Sequence, residues 1–260
     1  MTLRQYLDSL KSKTVAVIGI GVSNTPLLRL LLREGICVTA CDKRERSALG
    51  ELADELEKGG CRLQLGADYL HGLDQDVIFR TPGLRPDVPE LLRAQQQGSE
   101  LTSEMEVFFS VCPCTLIAVT GSDGKTTTTT IIAELLKAAG KTVHVGGNIG
   151  NPLLCQADEM RPEDYAVLEL SSFQLMTMRQ SPHIAVVTNL APNHLDMHKD
   201  MAEYVAAKEN IFRYQKTGDI AVFNLDNDIT REQAERAVGR VRTFSRRQEP
   251  TAVSYTHLRA

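Results

Sequence analysis

Residues Gly121-Ser-Asp-Gly-Lys-Thr126 stand between an apolar run and a helix-compatible stretch, and that order suits a phosphate cradle. Glycines let backbone N–H groups approach phosphate oxygens, and a helix N-terminus adds positive potential. Lys125 supplies a mobile charge for β- and γ-phosphates, and Thr126 supplies a hydroxyl for Mg²⁺. Gly121, Ser122, Asp123, Gly124, Lys125, Thr126 and Thr127 are therefore the candidate nucleotide-binding residues. The full Walker pattern asks for glycine at position 119, where Val119 stands, so the motif is the variant G-x-x-G-K-T. The bland alternative is a glycine turn that only caps a helix; the succession of strand, loop and helix argues against it.

Three more features fall at predicted strand ends, where open α/β sheets build their sites. Glu169, in Leu168-Glu-Leu-Ser-Ser-Phe-Gln-Leu175, follows an apolar run and suits Mg²⁺ binding, or else a solvated strand end. Asn193, His194, Asp196 and His198 crowd together after Ile184–Thr188, and imidazole can complete a divalent ion's shell or orient a substrate. Lys208, in Tyr204-Val-Ala-Ala-Lys208, reads from spacing alone as a surface lysine on a helix. Near the amino terminus, Gly19-Ile-Gly-Val-Ser-Asn24 resembles half of a dinucleotide fingerprint, and Asp42 lies where a ribose-binding acid belongs. Asn24 takes the place of the third glycine. A nucleotide diphosphate on a helix N-terminus is thus a broader reading than NAD. Cys112 and Cys114 lack the second pair of a zinc site and read as packing residues.

These residues need elements to hold them. Thr14–Gly21 is a continuous apolar run ending in glycines, as in a strand buried on both faces of a parallel sheet. A helix follows, with Ser23 or Asn24 as its cap, Pro26 in its first turn, and Gly35 as its stop. Strands are predicted at Ile36–Cys41, Arg62–Leu65 and Asp76–Phe79, and helices at Arg46–Lys58 and Pro89–Gln97, with a turn at Thr81-Pro-Gly-Leu84. The pattern restarts near Cys112. Strands are expected at Thr115–Val119, Thr142–Val145, Ala166–Leu170, Ile184–Thr188, Ile220–Phe223 and Val241–Phe244, with helices from the glycine loop to Ala139, at Met201–Phe212 and at Asp226–Val238. The expected fold is α/β: a Rossmann-like doubly wound domain over 1–111, then a P-loop ATPase-like domain over 112–260.

Composition bounds the alternatives. The chain has 260 residues, 42% hydrophobic and 24% charged, with a net charge of −4 and no basic block, which argues against nucleic-acid or anionic-membrane partners. Six cysteines, at 37, 41, 61, 112, 114 and 155, are too sparse for a disulfide scaffold. Charged residues interrupt Met1–Lys13, and no run approaches the roughly 18 apolar residues of a membrane helix. A soluble cytoplasmic protein is expected.

Together these segments resemble the muramyl ligase family of peptidoglycan synthesis, from about Lys13 to Phe244. The resemblance rests on Thr120-Gly-Ser-Asp-Gly-Lys-Thr-Thr127, Gly147-Asn-Ile-Gly150, Asn189 with Asn193-His-Leu-Asp196, and Ala206-Ala-Lys208. Glu169-Leu-Ser-Ser-Phe-Gln-Leu175 points to the branch that adds D-glutamate, while Ser-Asp replaces the more frequent Thr-Asn in the loop. The resemblance implies that ATP phosphorylates the carboxylate of UDP-N-acetylmuramoyl-L-alanine, after which the D-glutamate amine attacks the acyl phosphate and phosphate leaves. It implies phosphate binding by Lys125 and the loop amides, Mg²⁺ at Thr126 and Glu169, and a second Mg²⁺ at His194. Lys208 matches a lysine that the family carbamylates. Asn148, Ser171 and His194 would face the muramoyl-alanine part, and Gly21, Val22, Ser23, Asn24, Asp42, Arg44, Thr81, Pro82 and Gly83 the uridine diphosphate.

The family carries a third domain that binds D-glutamate, and this chain is expected to end before it and before its second domain is complete. The stretch from Arg246 has no periodicity, and Val253–Ala260 does not resemble the family, as a cloning artefact or truncation would leave it. A monomer with partial substrate binding and no ligation is the expectation. Competing readings are a non-catalytic nucleotide-binding fragment, another ATP-dependent carboxylate-amine ligase such as a folylpolyglutamate synthetase, and, more distantly, an NAD oxidoreductase.

Overall fold

Parallel strands cannot be joined by tight hairpins, so each pair needs a crossover, here mostly helical, and the crossovers cover the sheet faces. The computed structural model describes residues 1–192 and 198–247 and carries two such layered units. The first comprises Met1–Pro113 with Asn151–Met160; the second takes Cys114–Gly150 and the described residues from Arg161 onward. The chain therefore passes from first unit to second after Pro113, returns for ten residues as the 3₁₀ segment Leu154–Glu159 and its flanks, and leaves again.

In the first unit the elements are α1 (Leu3–Leu10), β1 (Thr14–Ile18), α2 (Asn24–Arg33), β2 (Cys37–Asp42), α3 (Arg46–Leu49), α4 (Glu51–Lys58), β3 (Arg62–Leu65), β4 (Val77–Phe79), α5 (Pro89–Gln96), β5 (Glu100–Thr102) and α6 (Glu104–Val111). All five strands are parallel, in the order β3-β2-β1-β4-β5. Strand order reverses about β1, which places a crevice at its carboxyl end. Val15, Ala16, Val17 and Ile18 are buried, as the unbroken apolar run predicts. In α2, Leu27, Leu28, Leu30 and Leu31 face the core, and Gly35, at φ 73°, turns the chain after the helix.

Two local expectations change here. The helix predicted over Arg46–Lys58 breaks into α3 and α4 at Gly50, whose φ of 54° is no helical angle. Neither Ser23 nor Asn24 caps α2. The Ser23 side chain makes no capping bond, and the buried Asn24 instead donates its amide to the Ile18 and Gly19 carbonyls, both at 3.0 Å.

The second unit contains β6 (Thr115–Thr120), α7 (Lys125–Ala138), β7 (Val143–Gly147), β8 (Tyr165–Glu169), α8 (Ser172–Leu175), β9 (Ile184–Val187), α9 (Met201–Arg213), β10 (Ile220–Asn224), α10 (Asp228–Ala234) and β11 (Arg240–Phe244). Its six strands are also parallel, ordered β11-β10-β9-β6-β8-β7. The strand that feeds the glycine loop, β6, sits between β8 and β9, so the carboxyl ends of all three share one edge of the sheet. Among the described residues no helix is long and apolar enough to cross a membrane.

Candidate functional site

In the second unit the loop after β6 is held from beneath. Gly121 has φ 150°, and a Cβ there would lie 1.9 Å from the Thr188 hydroxyl, so the position has no room for a side chain. Ser122 N–H donates to Asn189 O at 2.8 Å, and the Ser122 hydroxyl meets Ala191 N, Ala191 O and the Tyr204 phenol, each at 2.9 Å. Asp123 N–H donates to Asn189 Oδ1 at 2.9 Å, while the Asn189 amide donates back to the Asp123 carboxylate at 3.2 Å. Gly124 adopts φ 75°, with open space where a Cβ would be, and starts α7 with Lys125 at its first turn. Ser122 thus faces inward as a staple and the exposed Asp123 is tied to Asn189, while Lys125, its amine donating to Ser122 O at 2.9 Å, and Gly124 stand at the loop's open side, where an anion would be met.

Around this loop the neighbouring strand ends contribute polar groups. Thr126 donates its hydroxyl hydrogen to Glu169 Oε2 at 2.6 Å, and Asn148 donates its amide to Glu169 Oε1 at 2.9 Å. Asn148 reaches this place because Gly147, at φ 94°, passes so close to β8 that a Cβ would lie 2.1 Å from Glu169 O. The Lys208 amine donates to Thr120 Oγ1 at 3.2 Å and Gly121 O at 3.0 Å, and lies 4.9 Å from the centre of the Tyr204 ring. Burial, with repulsion from Lys125, pulls its pKa down to about 7 against the pull of Glu169. The hydroxyl and carboxylate oxygens of Thr126 and Glu169 are hard donors of the kind Mg²⁺ takes, which makes this pair fit a divalent cation.

His198 has a different position from the one its neighbours suggested. It is buried, with Nε2 2.9 Å from the Ser172 hydroxyl and Nδ1 3.4 Å from Glu203; it stacks on Phe173 and meets the Tyr204 edge. It joins α8 to α9. Asn193, His194 and Asp196 lie outside the described residues.

The first unit holds a cavity of about 340 Å³ at the carboxyl end of β1, lined by residues that include Gly21, Asp42, Arg44, Tyr69, Thr81 and Gly83. The Asp42 carboxylate accepts from Ile20 N–H at 2.7 Å, from Arg44 N–H at 2.9 Å, and from the Arg44 guanidinium at 2.8 and 2.9 Å. Burial raises its pKa, but these bonds outweigh that and hold it at about 2. Asp42 is therefore occupied within the chain. It does not stand ready for a ribose, and the cavity wall presents the Arg44 guanidinium instead.

Two family descriptions match the chain: Mur ligase MurD-like, N-terminal domain, over residues 13–103, and Mur ligase middle domain over residues 119–259. The chain belongs to the Mur ligase family. Similar curated Mur ligases include the UDP-N-acetylmuramoylalanine--D-glutamate ligases of Clostridium novyi (strain NT), 51% identical across 98% of this chain and 56% of the relative, and of Acetivibrio thermocellus, 53% identical across 94% and 53%. The chain spans about half the length of these curated relatives. Among solved Mur ligases, the UDP-N-acetylmuramate:L-alanyl-gamma-D-glutamyl-meso-diaminopimelate ligase of Neisseria meningitides aligns with a TM-score of 0.58 and 19% identity over 89% of this chain and 78% of its own. The UDP-N-acetylmuramate-alanine ligase of Thermotoga maritima gives 0.51 and 24% over 92% and 54%. At these identities the likeness is one of fold.

Within this Mur ligase fold the sequence-predicted residues fall into three groups. Lys125, Thr126, Glu169, Asn148 and Lys208 come together in the second unit. Gly21, Asp42, Arg44, Thr81 and Gly83 line the first unit's cavity. Others are placed differently. Val22 is exposed, Asn24 is buried under the turn, and the Ser171 hydroxyl caps α8, bonding Gln174 N–H and the Gln174 side chain. Spacing alone put Lys208 on the surface; the structure buries it at 2% exposure, because α9 packs that face against β6. Sequence reasoning missed Tyr204 and Tyr69. Tyr204 was legible, since a residue four before Lys208 shares its helix face.

Proposed function

We propose that this chain serves the ATP-dependent addition of D-glutamate to UDP-N-acetylmuramoyl-L-alanine, with ATP phosphates at the second unit's loop and uridine diphosphate in the first unit's cavity. The observation that carries the reading is the meeting of Lys125, Thr126, Glu169, Asn148 and Lys208 at neighbouring strand ends. ATP and a substrate carboxylate are both anions, so the chain's task is to neutralise and align them. Lys125 and the N-terminus of α7 supply positive potential. Thr126 and Glu169 would hold Mg²⁺, which supplies charge neutralisation between phosphate oxygens. With its pKa near 7, Lys208 carries a neutral amine in a large fraction of molecules at neutral pH, the form that adds CO₂ to give a carbamate. Asn148 orients the Glu169 carboxylate from the other side.

The relatives' shared name supports the D-glutamate branch, as does Glu169-Leu-Ser-Ser-Phe-Gln-Leu175. Calorimetric titration with UDP-N-acetylmuramoyl-L-alanine tests the assignment. Saturable binding is expected, with UDP competing. A folded chain that binds neither contradicts the first-unit site and the substrate with it.

A further inference from the structure

Arg80 follows β4 directly and is among the largest side chains that are fully buried, at 2% exposure. Its Nη1 donates to Thr81 O and Pro82 O, both at 3.1 Å, and to Leu84 O. The Glu106 carboxylate acts on it as opposite charge, and burial works against its ionised form. A guanidinium stripped of water is costly unless its hydrogen bonds are met. Here three of the acceptors are carbonyls of one four-residue turn, those of Thr81, Pro82 and Leu84, and the turn is closed by Leu84 N–H donating to Thr81 O at 3.1 Å.

That turn is also wedged against the glycine turn after β1. Thr81 N–H donates to Ile18 O at 3.1 Å, and a Cβ on Gly19 would lie 2.9 Å from Thr81 Cβ. Thr81, Gly83 and Leu84 line the first unit's cavity, and Gly83 N–H donates to no acceptor among the described residues. With three of its four carbonyls drawn to one cation, the turn keeps those oxygens away from an anionic ligand. We infer that Arg80 is a positioning residue for the nucleotide cavity: from beneath, it fixes the Thr81–Leu84 turn in the shape that a diphosphate-bearing ligand meets. The role rests on the reading of that cavity as a uridine-diphosphate site.

UDP is the probe, titrated into the wild-type chain, Arg80→Met and Arg80→Lys, with amide exchange followed at Val15–Ile18 and at Thr81–Leu84. An ammonium has three N–H donors for three carbonyls, so lysine can replace the function where methionine cannot. Arg80→Met is expected to weaken UDP binding about 10- to 100-fold, the worth of hydrogen bonds from a charged group, while β1 amides stay protected and the turn exchanges faster. Arg80→Lys is expected to recover to within about threefold of wild type. Should Arg80→Met unfold the unit, Arg80→Lys decides alone: near-wild-type UDP binding supports the role, and a loss beyond tenfold overturns it. Wild-type affinity in a folded Arg80→Met chain refutes the role of Arg80 only. A folded wild-type chain that binds no UDP refutes the cavity reading, and the role falls with it.

Discussion

The turn after β1 and the turn after β6 do similar backbone work and are opposite in their electrostatics. Each leads from a buried parallel strand through glycines into a helix. In the first turn the charges are matched inside the chain: Asp42 takes Arg44 and Ile20 N–H, and Asn24 satisfies the carbonyls of Ile18 and Gly19. In the second, Lys208 is buried with repulsion from Lys125 and only partial relief from Glu169. A site whose charges are already paired recognises a ligand by shape and by a few outward donors. A site where one lysine is buried close enough to another to be repelled by it is suited to an anion that relieves the repulsion.

The largest expected difference is steric. Gly121→Ala places a methyl on the Thr188 hydroxyl and should destabilise the second unit by about 3 kcal/mol or more, whereas Gly21→Ala, with open space around its Cβ, should stay within about 0.5 kcal/mol. Thermal melting of both variants checks the contrast, and equal losses would break it. Next, Asp42→Asn should cost about 2 kcal/mol, because it weakens four hydrogen bonds to one carboxylate. Asp42 has a native pKa below its usual value, so its contribution is complete above about pH 4 and fades as pH falls toward 2. Acid titration of stability should be steeper in wild type than in Asp42→Asn.

Lys208 sharpens the comparison from the other unit. Its native pKa, about 7, lies below that of a free lysine, so the unfolded chain binds the proton more tightly between pH 7 and 10. Stability contributed by this group therefore rises with pH across that window and is lowest at and below pH 7. Lys208→Met should remove that slope, seen as a stability difference that shrinks as pH is raised. A difference that does not change with pH would mean the amine is not held in its neutral form. A modest effect belongs to Ser122→Ala, which removes a staple and should cost about 1 kcal/mol by melting, less than Asp42→Asn and more than Gly21→Ala.

Continuous apolar runs made β1, β6 and β9 legible, because burial on both faces leaves a strong signal, while β3, whose residues are only exposed or half-buried, lies where it was expected without that signal. The misses have physical causes. Helix α6, Glu-Met-Glu-Val-Phe-Phe-Ser-Val, is buried nearly all round, so it has no amphipathic period to read. Helix α8 is a single turn, visible only through the Ser171–Gln174 capping box. At the candidate sites, the glycine loop and Glu169 follow from local order of residues. The contact of Lys208 with Gly121 and the burial of Arg80 depend on tertiary packing, and a lone basic residue beside a strand or on a helix carries no such mark, even though the carbonyls that Arg80 meets are its sequence neighbours.

The most direct test of the contrast is calorimetric titration of Mg·ADP into the wild-type chain and Lys125→Ala, each repeated with saturating UDP. Phosphate binding at the Gly121–Thr126 loop predicts saturable Mg·ADP binding that Lys125→Ala weakens by about 100-fold, as loss of a charged phosphate contact should, while UDP affinity is unchanged. Equal Mg·ADP affinity in a folded Lys125→Ala chain would contradict it, as would a folded wild-type chain that binds no Mg·ADP.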